Sequence, residues 1–117
     1  MTKYIYNPPF KRTTTINTLC VVGVCTCIMI KMATEKVFKS MGITDIDVQA
    51  ATESNPMGDR YKEPDIIMVE GIRIDELQEK YPKTIMIMVE DLAKVDKIKD
   101  EVVKKLTDAG WLQIVDE

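Results

Sequence analysis

Two short runs of the chain, 65–69 (DIIMV) and 84–89 (TIMIMV), are apolar at nearly every position. That is the pattern of strands covered on both faces of a sheet. The run 13–19 (TTTINTL) is rich in β-branched residues and suits another strand, although Asn17 is an awkward occupant of a buried one. A fourth, 45–51 (DIDVQAA), alternates polar with apolar like a half-exposed strand. Helical spacing takes over elsewhere. From about 26 to 41 the apolar positions Met29, Met32, Ala33, Val37 and Met41 are placed on one face, with Gly42 as the stop. Asp75 with Gln78 resembles an N-cap pair opening a short helix that ends near Tyr81-Pro82. Val95, Ile98, Val102, Leu106 and Ala109 then mark a long amphipathic helix stopped by Gly110. The segment 54–59 (SNPMGD) is a loop by its turn chemistry. Residues 1–12 (MTKYIYNPPFKR), with Pro8 and Pro9 and no periodicity, read as a poorly ordered N-terminal extension; 13–117 read as one domain.

Strands alternating with helices in this order predict an α/β fold: a four-stranded open, mainly parallel sheet flanked by helices, Rossmann-like in architecture. Such sheets bind ligands beyond the carboxyl ends of their strands, where the strand order reverses, and the first strand usually borders that place. The loop after it is the segment to inspect.

Composition narrows the chemistry. A chain of 117 residues supports one core, and a net charge of −3 offers no electrostatic footprint for nucleic acid. There is no histidine, which removes the commonest general base and every triad built on imidazole. The three cysteines, Cys20, Cys25 and Cys27, are odd in number and bunched within eight residues, a poor disulfide framework for a secreted domain, so a reducing, cytoplasmic setting is expected. Three thiolates without a fourth ligand nearby make a poor metal site, and neither a metal nor a cofactor is expected. The apolar stretch 19–30 is shorter than the roughly 20 residues that a membrane span needs. It reads instead as a buried strand running into a helix.

The candidate site is the loop Cys20, Val21, Val22, Gly23, Val24, Cys25, Thr26 and Cys27. A strand that turns directly into a helix aims unpaired amide N–H groups and the positive end of the helix dipole at one small volume. A cysteine opening such a loop has a lowered thiol pKa, and its thiolate is a nucleophile able to take up a phosphoryl group. Tyrosine phosphatases carry an arginine six residues after a comparable cysteine; here that position is Thr26. Carrying a phosphoryl group therefore fits better than hydrolysing one. Glu70, Glu90 and Asp91 fall near strand ends as rim residues, and the eight methionines are assigned to packing.

The segment CVVGVCTCIMIKMATEKVF resembles the active-site region of the enzyme IIB components of the bacterial phosphoenolpyruvate-dependent sugar phosphotransferase system, most closely the ascorbate and galactitol types. Cys20 falls on the family's phosphorylated cysteine, Gly23 on its second loop glycine and Thr26 on its first hydroxyl residue. Met29 to Met32 (MIKM) match the helix opening in register. The similarity runs more loosely through DIIMVEG and TIMIMVED, over about residues 13 to 110. The pattern departs at Val21 and Cys25, which replace glycines, and at Cys27, which replaces a serine. The resemblance implies a IIB-type fold and a relay in which a histidine-phosphorylated IIA protein donates to Cys20, which donates to a sugar held by the IIC membrane transporter. Two other readings stay open: a thiol redox or sensing protein using the three close sulfurs, and a regulatory IIB-like domain that binds a partner without turnover.

Overall fold

The structure, a computed structural model, describes residues 2–9, 12–20, 24–51, 57, 63–70, 74–89 and 94–116. Its elements in chain order are β1 (Thr2–Tyr6), β2 (Thr14–Cys20), α1 (Val24–Ser40), β3 (Ile46–Ala50), β4 (Ile66–Glu70), α2 (Ile74–Lys80), β5 (Ile85–Met88), α3 (Val95–Asp108) and β6 (Leu112–Asp116). Strands β3-β2-β4-β5 form a four-stranded sheet in that order, and all three pairings are parallel. This is the expected α/β architecture, a Rossmann-like parallel sheet with helices on its faces.

Alternation along the strands sorts the core into two layers. On one face Ile16, Val48, Ile66, Met68 and Ile87 pack with Ile30, Val37 and Phe38 of α1 and Ile98, Val102 and Leu106 of α3. On the other, Leu19, Ile67, Val69 and Met86 pack with Leu77 of α2 and with Tyr81. The opposite placement of α1 and α2 follows from crossover handedness. The β2-α1-β3 connection steps one way across the sheet and β4-α2-β5 the other, and right-handed connections then put their helices on opposite faces. Strand β4 is covered on both sides, with Ile66, Ile67, Met68 and Val69 fully buried. At the edge, β5 is less enclosed and Met88 is 39% exposed. The predicted stops hold: Gly42 and Gly110 have φ of 78° and 80°, the left-handed conformation that glycine adopts without a Cβ penalty.

Two readings are corrected. Residues 1–12 are not wholly an extension outside the fold, because Thr2–Tyr6 form β1, antiparallel to β6, in a separate two-stranded sheet. Tyr4 and Tyr6 pack against the larger core cluster, and the Tyr6 hydroxyl lies 2.7 Å from Thr14 Oγ1. Strand β6, beyond the Gly110 stop, is an element that the hydrophobic pattern did not announce. The second correction concerns the buried face of α1. Ile30, Ala33, Thr34, Val37, Phe38 and Met41 are buried, whereas Met29 and Met32 are 55% and 65% exposed. Steps of three and four from Ile30 to Met41 trace one helical stripe; at 100° per residue Met32 falls about 140° from Val37. The first half of α1 is apolar nearly all round, so periodicity had no polar face to orient it.

Candidate functional site

Strand β2 is central, flanked by β3 on one side and β4 on the other. The chain leaves β2 toward β3, then returns across β2 to build β4 and β5, so the strand order reverses between β2 and β4. The carboxyl ends of these two strands are Cys20 and Glu70, which are register partners, on neighbouring strands that run about 5 Å apart. Cys20 thus stands at the topological switch point, where open parallel sheets place their ligands.

Helix α1 opens at Val24, four positions after Cys20, and runs for 17 residues. The amides of its first turn have no acceptor within the helix and carry the positive end of its dipole. Val21, Val22 and Gly23 lie outside the described residues, as do the side chains of Cys20, Val24, Cys25, Thr26 and Cys27. The backbone therefore brings Cys20 and the helix start to the same end of the sheet. Of the rim residues, Glu70 ends β4 beside Cys20, while Glu90 and Asp91 lie outside the described residues.

The sheet's opposite end has a different chemistry. Arg12 donates two hydrogen bonds of 2.8 Å to the Asp65 carboxylate, which also accepts from the Thr15 amide at 2.9 Å and the Thr15 hydroxyl at 3.1 Å. Thr13 Oγ1 donates to Asp45 at 2.7 Å, and Thr84 Oγ1 to the Pro64 carbonyl at 2.9 Å. Burial alone raises the Asp65 pKa, but the bonds from Arg12 and Thr15 and the guanidinium charge outweigh it and hold the carboxyl below its ordinary range. Burial pushes the Tyr6 phenol up, only partly offset by its bond to Thr14, and the charges of Asp65 and Asp45 add to the rise. Together these bonds tie the amino ends of β3, β2, β4 and β5 to one another; they lie at the end of the sheet away from the switch point and serve the scaffold.

Sequence reasoning missed an exposed apolar face beside the candidate site. Ile28 (45% exposed), Met29 and Met32 project from the first half of α1. Next to them a shallow open cavity of about 500 Å³ is lined by Met32, Ala33, Glu35, Lys36, Lys39 and Val95. The signal was present in the sequence as an excess of apolar positions over what one buried stripe needs. Among the described residues there is no cluster of metal-ligating side chains, and no helix is long and apolar enough to cross a membrane.

No protein-family profile matches the chain, and no curated protein matches it. Among solved structures it is similar to one titled "Solution structure of uncharacterized protein lmo0427". The two are 17% identical, with 84% of this chain and 95% of that one covered and a TM-score of 0.47.

Proposed function

We propose that this chain is a phosphoryl carrier of IIB type in a sugar phosphotransferase system, with Cys20 as the residue that takes up and releases the phosphoryl group. The observation that carries the reading is the position of Cys20: the carboxyl end of the central strand, at the switch point, followed after three residues by a long helix. In the first step the Cys20 thiolate attacks phosphorus of a phosphohistidine on a IIA protein. The P–S bond forms, the P–N bond breaks, and the imidazole leaves with its electron pair. In the second, a sugar hydroxyl held by the IIC transporter attacks the same phosphorus and passes its proton to a base of the transporter; the P–O bond forms, the P–S bond breaks, and the Cys20 thiolate leaves with its electron pair. Amides at the start of α1 supply hydrogen bonds to the transferring oxygens without a bound metal.

Two features support the reading. With no histidine, the chain must receive its phosphoryl group on another nucleophile, and the cysteine at the switch point is suited to it. A carrier must also dock on two proteins in turn, and the exposed Ile28, Met29 and Met32 lie on the helix that begins beside the cysteine. Such work belongs on the cytoplasmic side of the membrane.

The test is intact-mass measurement after incubation with an ascorbate- or galactitol-type IIA protein carrying phosphohistidine. One phosphoryl group is expected on the wild type and none on Cys20→Ser. A wild type that stays unmodified, or an adduct that persists in the serine variant, overturns the proposal.

A further inference from the structure

The two-stranded sheet of β1 and β6 leaves both of its edges open among the described residues, since neither strand pairs with any other. The register sums to one constant: Thr2 opposes Asp116, Tyr4 opposes Ile114 and Tyr6 opposes Leu112. The ladder continues through the Asn7 amide, which donates to the Trp111 carbonyl at 2.7 Å. Antiparallel ladders alternate bonded with non-bonded pairs, so with 7 and 111 bonded, the pairs 5–113 and 3–115 are bonded too. The main-chain groups of Leu112, Ile114 and Asp116 then point outward along the free edge of β6.

We propose that this edge pairs with the β6 edge of a second copy of the chain, antiparallel about a two-fold axis at Ile114, giving a continuous four-stranded sheet in the order β1-β6-β6-β1. The strand is its own complement in this register. The outward groups of Ile114 meet their own counterparts, and those of Leu112 meet those of Asp116, for about six new main-chain hydrogen bonds. Ile114, 44% exposed in the single chain, gains an apolar neighbour across the axis. The one acidic position, Asp116, falls opposite Leu112 and not opposite itself, so no like charges meet. Strand β6 (LQIVD) also lacks the lysine or proline that guards edges, whereas β1 carries Lys3 and runs into Pro8 and Pro9. A five-residue pairing is small beside a standard interface, so the dimer is expected to be weak and reversible.

Sedimentation velocity of the full chain in reducing buffer, across a concentration series spanning the micromolar range, tests this. A reversible monomer–dimer equilibrium is expected. Ile114→Pro removes one outward N–H while sparing the bonds at 113 and 115, and should weaken the dimer at least tenfold. Ile114→Lys, which sets like charges across the axis, should do the same and decides the matter if the proline variant does not fold by circular dichroism. A wild type that stays monomeric throughout, or a dimer indifferent to the substitution in a folded variant, overturns the inference. The outcome is independent of phosphoryl transfer at Cys20.

Discussion

Replacing Asp65 by alanine tests how the amino end of the sheet is held. The carboxylate accepts two bonds from Arg12 and two from Thr15, and its side chain is 10% exposed. Arg12 is 54% exposed, so the ion pair itself contributes only about 0.2–1 kcal/mol. The larger loss is the Thr15 amide, left without its carboxylate acceptor at a part-buried site, at about 1–3 kcal/mol. Asp65→Ala should therefore cost about 2–3 kcal/mol and Arg12→Ala less than about 1 kcal/mol, a ratio that separates the two contributions. The sign of the pH dependence follows from the depressed carboxyl pKa. Its stabilisation is complete above the ordinary carboxylate pKa of about 4 and is lost as pH falls toward and through the lower folded value. Urea unfolding by circular dichroism, for wild type and both variants between neutral pH and pH 3, gives the comparison. The gap between wild type and Asp65→Ala should be constant from pH 7 to about 5 and narrow below that. Equal costs for the two variants, or a gap that ignores acid, would refute the reasoning.

Other expectations concern α1. The Thr34 hydroxyl is fully buried with no hydrogen-bond partner among the described residues, so Thr34→Val should leave stability unchanged or raise it by about 1 kcal/mol in urea unfolding; a loss of that size would reveal a partner. Met32→Gln, at an exposed position, should move stability by less than about 0.5 kcal/mol. Ile30→Ala, two residues away but fully buried, should cost about 2–5 kcal/mol, and thermal melts of the pair distinguish the two faces of the helix. Gly42→Ala, at φ of 78°, should destabilise by about 1 kcal/mol through left-handed backbone strain, read as a lower melting temperature.

Local pattern carried most of the architecture. The apolar runs of β4 and β5, the β-branched run of β2, the alternation of β3 and the three-four stripe of α3 are short-range signals. They fall within a residue or two of the elements found, because burial on two faces, on one face or on a stripe imposes different periods. The position of the candidate site was legible for the same reason: a strand that ends where a helix starts can be read from two adjacent patterns. Cys20 fell within the predicted boundary to one residue.

The remainder depended on partners distant in the chain. Strand β1 is defined by pairing with β6, more than a hundred residues away, and five residues of mixed polarity beside two prolines carry no periodic mark of such a partner. The face of α1 that meets the sheet was undetermined by a segment apolar on all sides, and was decided by which surface β2, β3 and α3 left to be filled. The reversal of strand order that sets Cys20 against Glu70 is likewise a property of connections and their handedness, since hydrophobic periodicity describes each strand's faces but not its neighbours.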